Sequence, residues 1–323
     1  MQVIHFETDI RDMTRGCVLT IGNFDGVHVG HQQIIGIAKK TANDKGTALA
    51  VMTFYPHPVT ILHREKSPGV LTPIELKKHL LSKYGVDCLI ILNSTAELLA
   101  LPPEDFVNRL VGKAVRPTLV VEGHDFNFGA RRSGNVETLQ RLGNDKGFEV
   151  IVVEPVKITL PNGQTPRVSS TMIRKLLETG QVEAVATALA RPYRVLGRVV
   201  PGRGKGKQLG FPTANIKSIG QIIPADGVYA GFVEIGPDCD AVCAATEQIP
   251  AALSLGSAAT FETDLLQLLE AHLMIKNVPD LVGKWLAMDF VAKLRNQIKF
   301  ETETQLAEQI AKDCKNAKQI LAV

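Results

Sequence analysis

One pattern repeats through the first half of the chain, and it limits the fold more than any other feature. Short apolar runs, CVLTIG (17–22), ALAVMTF (48–54), DCLIIL (87–92), TLVVEG (118–123) and FEVIVVEPV (148–156), alternate with amphipathic stretches at 31–44, 73–84, 104–113 and about 135–144. The runs are continuous and rich in Val and Ile, which fits strands buried on both faces. Strand and helix alternating in this way predict a parallel sheet with right-handed crossovers. Ligands of such sheets sit at the carboxyl ends of the strands. Chemistry is therefore expected in the loops after Gly22, Phe54 and Gly123.

The texture changes further on. After VSSTMIRKLLETG and a helical stretch from Val182 to Ala190, Arg191-Pro192 ends the helical pattern, since a residue before proline is pushed out of the helical region. Then come short β-like runs separated by Gly, Pro and Asp: YRVLGRVV, DGVYAGFVEI, DAVCAAT, LLEAHLMI and WLAMDFV. That spacing predicts a small antiparallel barrel. The segment from about Thr304 to Leu321 reads as one amphipathic helix, with Leu306, Ile310, Cys314, Ala317 and Leu321 near one face. At 323 residues the chain is long for a single core, and we expect two domains, 1–186 and 187–323.

Charge and composition remove several function classes. Lys plus Arg exceeds Asp plus Glu by only 36 to 33, with no long basic block, so nucleic acid is not an expected partner. No apolar run approaches the roughly 20 residues that span a bilayer, and MQVIHFETDIRDMTR lacks the basic start and apolar core of a secretory signal. The five cysteines are scattered, and Cys239/Cys243 lacks a second pair at zinc-site spacing, so reduced thiols in a cytoplasmic protein are expected.

Within TIGNFDGVHVGHQQII (20–35), His28 and His31 follow a strand and open a helix. A helix N-terminus offers unpaired N–H groups and a partial positive charge, and so attracts phosphate. Imidazoles there can donate to phosphate oxygens as charge develops, while Gly22, Gly26 and Gly30 let the backbone approach a ligand. A histidine pair alone is equally compatible with core packing or a metal, although no nearby Cys or third His completes a zinc set. In VSSTMIRKLL, Ser169 and Ser170 look like helix caps with Arg174 in the first turn; alone, this is a capped helix carrying a solvated arginine. FYPHP (54–58) and GHDFNFGARRSGN (123–135) are aromatic-bearing loops in which Phe54, Phe126 and Phe128 can wall a flat ring, with Asp125 as polar anchor. GRVVPGRGKGKQLGFPTANI (197–216) is neither a Walker A loop nor G-x-G-x-x-G. Gly202, Gly204 and Gly206 make a flexible nest beside Lys205 and Lys207, and Thr213 and Asn215 offer neutral oxygens suited to Mg²⁺ holding a nucleotide phosphate. A basic surface hairpin is the bland reading of the same residues.

Taken whole, these strings resemble a known family. GNFDGVHVGHQ resembles the G-x-F-D-x-x-H-x-G-H signature of the HxGH nucleotidyltransferases, whose N-terminal domain is Rossmann-like. VSSTMIRKLL resembles their S-S-T-x-I-R triphosphate clamp. The blocks around Phe54 and Asp125 resemble those of prokaryotic FAD synthetases, with Asn135 where that family usually has Asp. LGFPTAN (209–215) resembles the riboflavin-kinase hallmark, and PADGVYAG (224–231) its next block. In family order, from about residue 15 to 315, the chain is similar to the bifunctional riboflavin kinase/FAD synthetases.

That resemblance implies conversion of riboflavin to FMN and of FMN to FAD, with ATP and flavins as partners and Mg²⁺ as cofactor. Its implied catalytic residues are His28, His31, Arg174 and Glu270. Its implied nucleotide- and flavin-binding residues are Gly22, Phe24, Asp25, Gly30, Phe54, Asp125, Phe126, Phe128, Ser170, Thr171, Gly202, Gly204, Lys207 and Arg295, with Thr213 and Asn215 for the metal. One segment departs. Where the family has N-I-G-x-R-P-T-F, this chain reads SLGSAATF, with Ser254 for the asparagine and Ala258 and Ala259 for the arginine and proline; Val282 replaces a family tyrosine. This departure keeps open a monofunctional FAD synthetase with a decayed kinase domain. A non-catalytic flavin- or nucleotide-binding regulator is the remaining alternative.

Overall fold

The computed structural model describes residues 1–6, 14–62, 69–202, 206, 210–257 and 267–323. Its contacts divide the chain into two compact units: Met1–Ile158 with Thr165–Ser169, and Thr159–Gln164 with Ser170–Val323.

The first unit is a six-stranded parallel sheet. Its strands are β1 (Gln2–His5), β2 (Val18–Ile21), β3 (Leu49–Tyr55), β4 (Cys88–Asn93), β5 (Leu119–Gly123) and β6 (Glu149–Val153), in the order β1-β4-β3-β2-β5-β6. All residues of β2 and β5 are buried, as their unbroken apolar runs require. Its longer helices are α1 (Val29–Asp44), α2 (Ile74–Lys83) and α3 (Val136–Lys146). The stretch expected at 104–113 forms a short helix, Pro103–Phe106, continued by a π-helical segment, Val107–Val115. β1 went unanticipated because it is a four-residue edge strand with only Ile4 buried.

The strand order sets the position of the site. From β2 the chain moves toward β3 and β4; from β5 it moves the other way, to β6. β2 and β5 are therefore neighbours at a topological switch point, where such sheets hold ligands. Their ladder stops early, at Val18↔Leu119 and Leu19↔Val120, whereas β2–β3 continues to Ile21↔Met52 and β5–β6 to Gly123↔Val153. The β2–β5 pairing thus ends before the carboxyl ends of the two strands, the place where sheets of this kind open a ligand crevice.

The second unit is a closed antiparallel barrel of β7 (Tyr193–Val200), β8 (Ala214–Ser218), β9 (Gly227–Gly236), β10 (Ile249–Ser257), β11 (Gln267–Leu273) and β12 (Trp285–Arg295), in the order β10-β11-β8-β7-β12-β9. DAVCAAT (240–246), expected as a strand, is instead mostly a short helix, Cys239–Ala244. The cause is Asp238, whose carboxylate accepts the Ala241 N–H at 2.8 Å and caps it. The C-terminal helix spans Glu303–Leu321 and is capped by Thr302, which accepts the Gln305 N–H at 3.2 Å. Helices α4 (Ser170–Glu178) and α5 (Val182–Leu189) also belong to this unit. The apolar α5 packs on β7 and β12, and the Ala225 N–H donates to Leu177 O. The compact units divide at Ser169/Ser170.

Candidate active sites

At the end of β2 the chain makes a strained turn. Phe24 and Val27 take positive φ values of 45° and 41°, costly for any residue with a side chain and most of all for a β-branched one. Such strain persists only where the surroundings hold it. Here Asp25 does so: its buried carboxylate accepts the N–H groups of Leu71 and Thr72 at 3.0–3.1 Å, and Thr72 Oγ1 accepts the Gly26 N–H at 2.9 Å. Asp25, expected as a ligand contact, thus anchors the turn.

His28 ends the turn as the N-cap of α1, its Nδ1 accepting the His31 N–H at 3.3 Å. That bond fixes the tautomer, because Nδ1 must be the acceptor and Nε2 carries the proton. The His31 ring stacks on His28 with centroids 3.6 Å apart and planes 15° from parallel, and Phe24 meets His31 edge-on at 5.2 Å. The glycines make room for these rings: a Cβ on Gly30 would lie 3.2 Å from the His28 ring, and one on Gly22 would lie 3.3 Å from Phe24. The His31 Nδ1 is buried without a partner among the described residues. Burial, aided by His28 and Lys77, holds the His31 imidazole well below its usual value, so it is neutral at pH 7.

Lys77 and Glu122 are the polar residues that sequence reasoning missed. Lys77, on the buried face of α2, donates to Asn23 O at 2.7 Å; burial pushes its ammonium down to about 8 against the opposing pull of Asp25. Glu122 is buried where β2 and β5 part, and its carboxyl accepts the Ile21 N–H at 2.6 Å, replacing the missing ladder bond. Burial raises it well above the carboxylate range. Each left a signal: a lysine in register with Ile74 and Leu81, and a glutamate inside an apolar strand.

Beyond β5, Phe126 and Phe128 stack at 5.4 Å, Phe128 meets Phe106 at 5.6 Å, and Phe106 meets Phe54 at 6.4 Å. Phe106 and Phe128 are core residues, whereas Phe54 and Phe126 are partly buried. Phe128, expected to wall a ligand, is buried against Phe106 and Phe126. The exposed Asp125 pairs with Arg167. Asn135 caps α3 by accepting the Thr138 N–H at 3.0 Å, as an aspartate also does at this position.

Ser170, Thr171 and Arg174 lie on α4 in the second unit. Ser170 opens the helix, which puts Ser169 in the capping position, and Arg174 is its fifth residue, just past the first turn.

On the barrel, one row of Cα partners runs Val200, Asn215, Glu270, Ser254, Val228 and Arg295 across β7, β8, β11, β10, β9 and β12. The neighbours along the strands, Ala214, Ile216, Leu269, Ala271, Leu253 and Leu255, are all buried. With period-two alternation, Asn215, Glu270 and Ser254 therefore point away from the barrel interior, side by side. Partial burial raises the Glu270 carboxyl above its usual value. The glycines beside this row have no room for a side chain: a Cβ on Gly202 would lie 1.8 Å from Asn215 Nδ2, and one on Gly206 would lie 2.8 Å from Thr213 Oγ1. Gly204, Lys205, Lys207, Ala258 and Ala259 lie outside the described residues. Arg295 is committed to the C-terminal helix, with Nε and Nη2 donating to Asp313 at 2.7–3.0 Å and Nη1 to Asn296 O at 3.0 Å. Among the described residues no group of three or more His, Cys, Asp or Glu could hold a metal.

Two family models match in tandem, FAD synthetase over residues 10–172 and riboflavin kinase over 189–321. The bifunctional riboflavin kinase/FMN adenylyltransferase of Escherichia coli strain K12 is 33% identical over 92% of this chain and 90% of its own length. This chain belongs to the bifunctional riboflavin kinase/FMN adenylyltransferase family. The member from Haemophilus influenzae is 33% identical, with 98% of both chains covered, and that from Bacillus subtilis is 32% identical over 98% of this chain and 96% of its own. A crystal structure from Streptococcus pneumoniae, described as a macrolide-efflux protein, matches with a TM-score of 0.84 at 27% identity, covering 98% of this chain and 99% of that one. Among the described residues no helix is long and apolar enough to cross a membrane. The histidine pair falls within the first matched segment and Glu270 within the second.

Proposed function

We infer that this enzyme makes FMN from riboflavin and then FAD from FMN, using one ATP at each step, with adenylyl transfer assigned to residues 1–186 and phosphoryl transfer to 187–323. The observation that carries the reading is the register that puts Glu270 directly opposite Asn215, because the kinase half is where the sequence departs from its family.

At the barrel, the riboflavin 5′-hydroxyl attacks the γ-phosphorus of ATP and ADP leaves, while Glu270 accepts the hydroxyl proton. In-line transfer of this kind leaves the protein mostly a positioning and electrostatic task. Thr213 and Asn215 suit a magnesium ion: both are oxygen donors, and Gly202 and Gly206 keep a cradle open that a Cβ would fill. When bound, the ion supplies positive charge to the ATP phosphates.

In the first unit an FMN phosphate oxygen attacks the α-phosphorus of a second ATP and pyrophosphate leaves. His28 offers its Nε2 proton to the phosphates, with its other nitrogen held by the His31 N–H. Phe54 and Phe126 wall the flavin ring.

The test is a time course of purified protein with riboflavin, ATP and Mg²⁺, with the flavins separated. FMN should appear first and FAD after it. Riboflavin left unchanged while supplied FMN becomes FAD would establish the decayed-kinase alternative. No turnover of either flavin would establish the binding protein.

A further inference from the structure

The ladder between β8 and β11 runs from Leu269↔Ile216 through Glu270↔Asn215 to Ala271↔Ala214, and there it ends. One residue further along β11, a side chain takes over. The Nδ1 of His272 lies 2.9 Å from Pro212 O. A carbonyl oxygen only accepts, so Nδ1 carries a proton and donates it. The Phe211 ring meets the same imidazole edge-on, with centroids 5.5 Å apart and planes at 72°. The Phe211 N–H in turn donates to Gly206 O at 2.8 Å. His272 thus reaches, through two adjacent residues, the glycine that sits against Thr213: a Cβ on Gly206 would lie 2.5 Å from Phe211 O and 2.8 Å from Thr213 Oγ1. On β11 itself, Ala271 and Leu273 are buried in the barrel, so His272 shares the outer face with Glu270.

We propose that His272 is a positioning residue for the kinase reaction: it pins the Pro212 carbonyl where the β8–β11 ladder stops, and so fixes the corner of Gly206, Phe211 and Thr213 against which the ATP phosphates bind. The role rests on the reading of the glycine-rich turn and Thr213 as the ATP site. Main chain beyond the end of a ladder opens more readily than main chain within it. A loop that must be ordered before it can bind lowers affinity. His272 orders this one in advance, from a strand that also carries the proposed base. Its loss should therefore weaken ATP binding and leave the chemical step alone, which raises KM for ATP with kcat unchanged.

The geometry names the atom that matters, and three substitutions isolate it. His272→Phe keeps an aromatic edge for Phe211 and removes the donor. An asparagine places its amide nitrogen where Nδ1 stands, whereas a glutamine places it where Nε2 stands. The experiment uses the full-length enzyme and measures total FMN plus FAD formed from riboflavin over a range of ATP concentrations. Hydrogen exchange at the Phe211 amide is followed in the same proteins without ATP. In His272→Phe and His272→Gln, KM for ATP should rise about fivefold, the size of one neutral hydrogen bond, and Phe211 should exchange faster. KM for riboflavin should hold. His272→Asn should stay close to the wild type in both readouts. Emission from the only tryptophan, Trp285 on β12, checks that each barrel is folded. Unchanged Phe211 exchange in His272→Phe, a fall in kcat with KM for ATP unmoved, or an asparagine variant no better than glutamine overturns the proposal. No FMN from the wild type would defeat the kinase reading and the positioning role with it. Wild-type turnover with an unmoved KM for ATP in folded His272→Phe would defeat the positioning role alone.

Discussion

Asn215 on β8 and Glu270 on β11 are directly opposed Cα partners, and the alternation of their strands turns both away from the barrel interior. A neutral oxygen donor thus stands one strand spacing from the carboxyl proposed to take the substrate proton.

That pairing predicts how the kinase responds to Glu270→Gln. The change is nearly isosteric, so the barrel should fold, while FMN formation should drop by about 10²–10⁴-fold, the usual contribution of a general base. Burial raises the Glu270 carboxyl, and the base works only when ionised. Wild-type kinase activity should therefore climb with pH through a value above the ordinary carboxylate range and fall below it. A flat acid limb in the wild-type profile would move the base elsewhere.

Gly202→Ala should cripple the same site by a steric route. The added Cβ would lie 1.8 Å from Asn215 Nδ2, so the amide must swing out of place. Misplacement on the scale of 1 Å costs roughly 100-fold in turnover. Kinase turnover should fall by that order while adenylylation of supplied FMN persists; normal FMN formation would show that Asn215 is not needed where it stands.

Asp313→Ala should destabilise the barrel. Its carboxylate is buried and takes three donor contacts from Arg295, plus one from Gln309 at 2.8 Å. Removing one partner of a buried pair costs roughly 3–5 kcal/mol. Trp285 emission during denaturant unfolding should show a lower midpoint, and Asp313→Asn, which can still accept, should lose less. Equal midpoints for the wild type and Asp313→Ala would mean that Arg295 does not anchor the C-terminal helix.

Glu122 predicts a pH dependence of stability in the first unit. Its carboxyl is raised well above 4.5 by burial, so the native state holds a proton that the unfolded chain has released. Stability from this group is complete below its unfolded value and declines as pH rises toward the folded one. Glu122→Gln keeps an oxygen for the Ile21 N–H without an ionisable proton. Thermal unfolding followed by circular dichroism should show the variant gaining on the wild type at pH 8 relative to pH 5. A constant difference between the two would mean that Glu122 is ionised in place.

The residues that bear chemistry were easier to read than their arrangement. Continuous apolar runs located β2 to β6, and the glycine-rich string before α1 located the histidine pair, because period and capping are local properties. Register is not local: nothing in LEAHL or PTAN says that Glu270 and Asn215 face each other, and nothing at Ser254 announces that its hydroxyl accepts from the Gln297 amide at 3.0 Å. The segment 240–246 has a strand-like composition, and one capping residue, Asp238, reverses it. Asp25 and Phe24 sit in the motif, and their atoms also hold the turn and back the His31 ring. A motif marks residues that a site needs without separating those that touch the ligand from those that shape the loop.

The central claim is that two reactions run at two sites on one chain. It is tested most directly by the flavins that a His31→Ala enzyme makes from riboflavin and ATP. The stacked pair should be lost and, with it, stabilisation of the transferring phosphates, an effect of about 10²–10³-fold for one such group. FMN should accumulate at the wild-type rate with FAD nearly absent. Equal loss of FMN and FAD in a folded His31→Ala protein would contradict the account.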